Sequence, residues 1–203
     1  MRVLALSDEE SELVYGATIR EQFHDIDLVV GCGDLPARYL EYVVTQLNIP
    51  LVYVPGNHDP DDIQVPGGQA IDGRIMKVRG IWVAGLGGSR RYKSQGRHQY
   101  REGEMRLRMS RMLPRLLFNA RARRKGLHLF VTHSPPFGVH DAVDLPHVGF
   151  ASFHTLLRLI RPTLMLHGHS HANRNLEVTE TRLYGTRIIN VYPYRVIELG
   201  DCS

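Results

Sequence analysis

Short apolar runs recur along the chain and predict a series of buried strands. Each run is three to five residues long and is rich in valine, leucine and isoleucine, as buried strands are. Stretches with helical spacing lie between several of the runs, so strand and helix alternate and the pattern indicates an α/β protein. The predicted strands are 2–6, 27–30, 51–54, 81–84, 127–131 and 164–166, and the predicted helices are 12–23, 37–47 and 150–159.

The pattern changes in the last thirty or so residues and in one internal stretch. Residues 175–179, 187–191 and 195–199 read as consecutive strands joined by turns that contain glycine or proline. The polar stretch 87–103 is long enough for a functional loop. Residues 104–124 predict an amphipathic helix that is kinked near Pro114 and that buries its methionines. We expect a single domain over 1–203.

Composition narrows the class of protein. The chain is 43% hydrophobic and 23% charged, which is typical of a folded globular domain and excludes disordered and collagen-like chains. Its two cysteines, Cys32 and Cys202, are too few for a disulfide framework. Because no apolar run approaches the ~20 residues that span a bilayer, we expect a cytoplasmic protein without membrane contact.

The charge favours anionic partners. The formal net charge is +4 and most basic residues are arginines, which suits either a phosphate ester or a nucleic acid. The arginines of the predicted helix at 104–124 are the only motivation for nucleic-acid binding, and a solvated helix face explains them as well. The oligomeric state does not follow from the sequence.

Residue types that bind metals occur where the apolar runs end. The carboxyl ends of strands are where open α/β sheets place their sites. Each residue taken alone has an ordinary explanation: Asp34 as a helix N-cap, Asn57 in a turn, His133 in the core. Five segments share the placement: Ser7-Asp8-Glu9-Glu10, Gly31-Cys32-Gly33-Asp34, Gly56-Asn57-His58-Asp59, Thr132-His133 and His167-Gly168-His169-Ser170-His171.

Mixed oxygen and nitrogen donors of this kind suit manganese, iron or zinc better than calcium. The ordered set resembles the calcineurin-like metallophosphoesterases, which carry Asp-x-His, Gly-Asp, Gly-Asn-His-Asp or -Glu, a lone His and Gly-His-x-His in that order. Four of the five motifs are intact, and the resemblance extends from Leu4 to His171. It implies a fold of two mixed β-sheets packed as a sandwich and flanked by helices. It also implies hydrolysis of phosphate mono- or diesters by a hydroxide that bridges two divalent metal ions.

The resemblance also implies a role for each matching residue. Asp34 would bridge the two ions, with Asn57, His133 and His169 completing one site and Asp8 and His171 holding the other. His58 would stabilise the transferring phosphoryl group or protonate the leaving oxygen, and Asp59 would orient the His58 imidazole. Asn57 and His58 would also contact the substrate.

The first motif departs from the family pattern at residue 10. Glutamate stands where the family has histidine. Glu10 either coordinates through oxygen, which would favour manganese or magnesium over zinc, or points away and leaves a weak site. This departure motivates an alternative hypothesis, a binding or scaffold protein that keeps the fold but has lost catalysis.

The remaining candidates belong to loops. Arg91 and Tyr92 in the loop 87–103 are predicted to contact the substrate, a phosphate-ester small molecule or nucleotide, although a flexible loop without such a role is the plainer interpretation. His140 and His147 lie between two of the motifs, where they either line the pocket or are ordinary loop histidines.

Overall fold

The computed structural model describes residues 1–122, 126–171 and 178–200, and for 119–122 it describes the backbone only. Thirteen strands and four helices are formed by these residues. The helices are α1 Ile19–Gln22, α2 Ala37–Leu47, α3 Glu102–Ala122 and α4 Ser152–Ile160. The strands are β1 Arg2–Leu6, β2 Leu28–Gly31, β3 Leu51–Tyr53, β4 Gly68–Ala70, β5 Ile75–Val78, β6 Ile81–Leu86, β7 Ser89–Arg90, β8 Gln99–Tyr100, β9 Leu129–Thr132, β10 Leu164–His167, β11 Glu180–Leu183, β12 Thr186–Asn190 and β13 Tyr194–Glu198.

Two large mixed sheets carry the fold. The first has five strands in the order β13-β1-β2-β3-β4, in which only β13 is antiparallel to its neighbour. The second has six strands in the order β11-β12-β10-β9-β6-β5, with parallel strands in the middle and the antiparallel strands β11 and β5 at its edges. Parallel central strands are buried on both faces, which is why the sequence shows continuous apolar runs instead of alternation.

Three hydrophobic clusters show how the layers stack. One lies between the two sheets and contains buried valines and leucines from both, such as Val30 and Val131. A second packs α3 and α4 against the outer face of the six-stranded sheet. The third packs α1 and α2 against the outer face of the five-stranded sheet. The architecture is therefore helix, sheet, sheet, helix, as the family resemblance implied.

Most of the predicted elements are confirmed within a few residues. The predicted helix at 12–23 was wrong over most of its length, because only Ile19–Gln22 is helical. Residues before it form turns, which α2 contacts through two tyrosines: the Tyr42 hydroxyl donates to the Gly16 carbonyl and the Tyr39 hydroxyl accepts the Ser11 amide. Contacts between elements therefore override a local pattern that suited a helix.

The C-terminal strands and the long loop also differ from expectation. The strand predicted at 175–179 lies largely outside the described residues, and from residue 178 onward the first strand that the structure describes is β11, which starts at Glu180. The edge strands β4 and β5 were not predicted, because they are short and lack an apolar run. The loop 87–103 contains the two-residue ladder β7-β8, which ties its ends together.

Helix α3 buries the residues that its spacing predicted. Met105, Met109, Met112 and Leu116 face the core beneath α4, and the helix continues through Pro114. The predicted end of this helix at 123–124 lies outside the described residues. The methionines therefore fill the core, as flexible thioether side chains do in irregular gaps.

Candidate metal centre

Five parallel strands deliver the candidate ligands to one edge of the sandwich. Asp8, Asp34 and Asn57 follow β1, β2 and β3 of the first sheet, and His133 and His169 follow β9 and β10 of the second. A cavity of about 400 Å³ opens there. Its lining consists of Asp8, Asp34, Asn57, His58, Tyr92, Pro146, His147, His169 and His171.

Three of these residues have backbones in the left-handed region. The φ angles are 67° for Asp8, 56° for Asp34 and 66° for His169. Such a conformation costs of order 1–3 kcal/mol for a residue other than glycine and is held by the surrounding structure. Each turn bends the chain directly after a strand, so the side chain points toward the centre and not along the sheet.

Glycines beside these turns leave room for the ligands. A Cβ added to Gly56 would overlap the Asp34 carboxylate, and one added to Gly168 would overlap Ser7 and Asp8. Gly33 has a φ of 93° and faces the backbone of Gly56. Close approach of the loops is thus possible only because these positions lack a side chain.

Donor atoms from both sheets converge on one point. The ligand atoms of Asp34, His133 and His169 all lie within 4.8 Å of one another. His133 Nε2 is 3.3 Å from Asp34 Oδ2 and 3.1 Å from Asn57 Oδ1. Two imidazoles, a carboxylate and an amide oxygen form a donor set that suits manganese, iron or zinc.

Both buried imidazoles have one ring nitrogen bonded to a backbone carbonyl. His133 Nδ1 donates to the Cys32 carbonyl at 2.8 Å, and His169 Nε2 donates to the Pro146 carbonyl at 2.7 Å. Since a carbonyl only accepts, these bonds place a hydrogen on each of those nitrogens, so that in the neutral form of each ring the lone pair lies on His133 Nε2 and on His169 Nδ1. Metal-binding histidines are oriented in this way, so the residues fit a metal ion.

The electrostatics couple the donors strongly. Burial alone would lower the pKa of His133, but the Asp34 carboxylate beside it raises that pKa to about 9. Burial alone would raise the pKa of Asp34, and the His133 imidazole holds it well below its usual range. The pKa of His169 is lowered to about 4 by burial and by the His133 charge. The His133 imidazole thus serves as the counterion of the Asp34 carboxylate, while the His169 imidazole stays neutral.

A second group of donors lies beside the first. Asp8 Oδ2 accepts the His169 backbone amide at 2.9 Å, and Asp8 Oδ1 is 3.7 Å from His171 Nε2. The interaction with the Asp8 carboxylate raises the pKa of His171. The Tyr192 ring stacks on the His171 imidazole with centroids 4.6 Å apart, and the Tyr192 hydroxyl donates to Glu9. This half contains fewer donors than the half around Asp34.

The Glu10 side chain points away from the candidate metal centre and toward Arg38. Its Oε1 accepts a hydrogen bond from Arg38 Nη2 at 2.9 Å, and it does not appear in the lining of the described cavity. The Arg38 side chain is 73% exposed, and an exposed ion pair contributes only about 0–1 kcal/mol. The arrangement corresponds to the second of the two alternatives, in which residue 10 points away.

His58 is exposed to solvent, whereas its neighbour Asp59 is buried. The His58 imidazole is 69% exposed, with Nε2 4.0 Å from Asp34 Oδ2. Asp59 is buried and accepts the backbone amides of Asp34 and Gly56 at 2.9 and 2.7 Å. The expectation that Asp59 orients the His58 imidazole stays a prediction; the Asp59 carboxylate binds the turn of Asp34 to the turn of Asn57. Burial is the main reason that the pKa of Asp59 is raised.

The loop 87–103 brings one of its two candidates to the centre. Tyr92 lines the cavity, and its hydroxyl accepts a hydrogen bond from Asn57 Nδ2 at 3.3 Å. Arg91 instead donates to the Gln99 carbonyl from Nε and Nη2, and its Nη2 is 3.2 Å from Glu104. The Arg91 guanidinium thus binds the loop itself and the first turn of α3.

The loop between β9 and α4 supplies residues that sequence reasoning did not assign. His147 lines the cavity, with its ring centroid 5.0 Å from that of His169 and its Nδ1 2.5 Å from Asp144. Pro146 acts through its carbonyl, which side-chain patterns cannot reveal. His140 bonds to His167 and Thr181, and burial lowers the pKa of His140 to about 4. It lines a neighbouring cavity of about 670 Å³.

Comparison with known proteins decides the family. The family profile described as calcineurin-like phosphoesterase matches residues 1–173. The chain belongs to this family. A calcineurin-like phosphoesterase is expected to be a metal-dependent hydrolase, and the convergent donors of Asp34, His133 and His169 agree with a metal site. No curated protein sequence matches the chain significantly.

Solved structures of low sequence identity share the fold. One crystal structure is 14% identical, covers 98% of this chain and 99% of its own, and has a TM-score of 0.67. The crystal structure of TT1561 of Thermus thermophilus is 16% identical, covers 94% of this chain and 88% of its own, and has a TM-score of 0.64. At such identity the likeness establishes the architecture alone. Within the described residues, no helix combines the length and apolar character that crossing a membrane requires.

Proposed function

We propose that this phosphoesterase hydrolyses phosphate mono- or diesters with two divalent metal ions, manganese, iron or zinc. The observation that carries the proposal is the convergence of Asp34, His133 and His169 within 4.8 Å. Two features support it: the remote nitrogens of both imidazoles are bonded to carbonyls, and the family is one of phosphoesterases. When bound, the ions supply an acidified water and neutralise phosphate oxygens.

Two sets of residues would hold the two ions. Asp34, Asn57, His133 and His169 would hold one ion, while Asp8 and His171 would hold the other, with Asp34 shared between them. His58 N donates to Asp34 Oδ1 at 2.7 Å, which orients the carboxylate so that Oδ2 faces His133. Asp59 fixes the same turn through the Asp34 amide.

His58 would act on the substrate and not on the ions. Its imidazole reaches into the open mouth of the cavity, where a phosphoryl group bound at the centre would meet it. A protonated imidazole in that position stabilises negative charge on the phosphoryl oxygens or donates its proton to the departing alkoxide oxygen. Exposure to solvent allows the ring to regain that proton from water.

The direct test is turnover of p-nitrophenyl phosphate and of bis(p-nitrophenyl) phosphate by protein loaded with manganese, iron or zinc. We expect hydrolysis that disappears on chelation and returns with metal. Replacing His58 with alanine should lower kcat by roughly 100-fold or more, the usual contribution of general acid–base catalysis, with manganese content near that of the wild type.

The control variant is His24→Ala, since His24 is an exposed histidine that does not line the cavity. It should retain full activity. Absence of turnover with every metal would contradict the proposal. Loss of manganese together with activity in His58→Ala would instead make His58 a ligand.

A non-catalytic scaffold is the second candidate, and the ion pair between Glu10 and Arg38 favours it. With Glu10 turned away, the half-site of Asp8 and His171 is weak, and a protein that holds one ion cannot run a two-ion reaction. Metal analysis by mass spectrometry separates the candidates. One tightly bound ion without hydrolysis supports the scaffold, whereas two ions with turnover support the enzyme.

A further inference from the structure

The loop that carries Tyr92 is anchored by a buried glutamine. Gln99 is only 3% exposed, and its Oε1 accepts the backbone amides of Tyr92 and Lys93 at 3.2 and 3.1 Å. Its own carbonyl accepts the Arg91 guanidinium. A Cβ at Gly96 would overlap the Gln99 side chain, so a glycine is needed there. This part of the loop is therefore ordered before any substrate binds.

The anchored loop places the Tyr92 hydroxyl over the metal centre. Asn57 Nδ2 donates to the Tyr92 oxygen at 3.3 Å, while Asn57 Oδ1 faces His133 Nε2 at 3.1 Å. The Asn57 side-chain amide thus directs its oxygen toward His133 and its nitrogen toward Tyr92. The Lys93 ammonium lies 5.3 Å from the centroid of the Tyr92 ring, where a cation is attracted to the ring face.

The hydroxyl hydrogen of Tyr92 still needs an acceptor. Its oxygen already accepts from Asn57, and in the described part of the chain no acceptor for its hydrogen is found. The hydroxyl belongs to the wall of the cavity that Asp34 and His58 also line. A phosphoryl oxygen bound at the centre is the group that would complete this hydrogen bond.

We propose that Tyr92 is a catalytic residue that donates its hydroxyl hydrogen to a non-bridging phosphoryl oxygen of the substrate, and that Gln99 is the positioning residue that holds it there. The inference rests on the proposed function and names a substrate contact in the same site. The O–H bond stays intact throughout, so the contact is a neutral hydrogen bond that strengthens as charge accumulates on the phosphoryl oxygens. Because the Arg91 guanidinium is bound to the Gln99 carbonyl, we assign the substrate contact to Tyr92 and not to Arg91.

The test uses Tyr92→Phe, which removes one oxygen from a half-buried ring. The probe is inorganic phosphate, titrated calorimetrically into the manganese-loaded protein. We expect the dissociation constant of phosphate to rise, and kcat/KM for p-nitrophenyl phosphate to fall, by roughly 10- to 100-fold, as for a lost hydrogen bond to a charged group. Manganese affinity should stay unchanged.

Two further positions separate contact from packing. Tyr184→Phe is the matched control, since that hydroxyl contacts Arg158 and His154 away from the cavity; it should bind phosphate as the wild type does. Gln99→Leu keeps a buried side chain of similar size but removes the acceptor of the two loop amides, and it should show the same loss of phosphate affinity as Tyr92→Phe. Gln99→Glu, which keeps an oxygen acceptor for those amides, should recover most of that affinity.

Each outcome bears on the inference. Unchanged phosphate affinity in Tyr92→Phe overturns it, as does a wild-type protein that binds manganese but not phosphate. A loss of manganese affinity, with activity recovered in excess metal, would show that Tyr92 only orients Asn57 and would also overturn it. Phosphate binding that depends on Tyr92 without any turnover would leave the contact intact and refute the proposed hydrolysis alone.

Discussion

Two glycines at the candidate metal centre leave no space for a side chain. Gly56 and Gly168 each lie where a Cβ would overlap a candidate ligand or its neighbour. Neither residue offers a donor atom, yet each decides how closely two ligand-bearing turns approach. Their effect on metal binding therefore acts through the position of Asp34 and Asp8.

Replacing Gly56 with alanine should weaken manganese binding. The new methyl group has to displace the Asp34 carboxylate, and we expect a loss of about 10- to 100-fold in affinity, the range seen when groups that orient ligands are removed. Calorimetric titration with manganese measures the change.

The matched control is Gly103→Ala in α3, where a Cβ meets nothing within 4 Å. It should leave manganese affinity unchanged and, in a helix, stabilise the fold by about 0.5–1 kcal/mol. Equal affinities for Gly56→Ala and wild type would contradict the steric argument.

At the scale of elements, Glu102 links three parts of the fold. Its two carboxylate oxygens accept the amides of Ala151 and Ser152 at 3.1 and 2.7 Å, at the start of α4. Oε2 also accepts a hydrogen bond from Arg90 of β7 at 2.8 Å. The first turn of α3 thus caps the start of α4 and binds the base of the loop that carries Tyr92. A carboxylate at that place also suits the positive end of the α4 dipole.

Glu102→Ala should destabilise the protein by about 1–3 kcal/mol, because it leaves partly buried amides and a guanidinium without their acceptor. Urea unfolding followed by circular dichroism measures the free energy of unfolding. Glu41→Ala in α2, an exposed glutamate, is the control and should change it by less than about 0.5 kcal/mol. A similar small effect for both variants would refute the linking role of Glu102.

At the scale of the whole molecule, the candidate ligands are distant in sequence and come from both sheets. Asp34 follows a strand of the first sheet and His133 a strand of the second, and the bond from His133 Nδ1 to the Cys32 carbonyl crosses between them. An ion bound there would tie the two halves of the sandwich together. Binding to the folded state alone shifts the unfolding equilibrium.

Manganese should therefore raise the melting temperature. At a concentration 100 times the dissociation constant, the stabilisation is about 2.7 kcal/mol, which calorimetry or fluorescence melting detects. Asp34→Asn should respond far less, since it loses the negative charge of a candidate ligand. An equal shift in the variant would place the ion elsewhere.

Continuous apolar runs in the sequence predicted most of the central strands, because parallel strands that are buried on both faces are apolar throughout. The helix expected at 12–23 forms only at Ile19–Gln22, and the residues before it form turns that bond to the Tyr39 and Tyr42 hydroxyls of α2. The short edge strands β4 and β5 gave no signal, because edge strands bury little apolar surface.

The sequence by itself determined the identity and order of the candidate ligands, because each follows a strand whose apolar residues are readable along the chain. Only the tertiary structure decided their environment: Asp59 bonds to two backbone amides, Glu10 turns to Arg38, and Tyr92 instead of Arg91 reaches the cavity. The physical reason is that a strand fixes where a residue stands, whereas the direction of its side chain depends on partners from other strands and loops that come together only on folding.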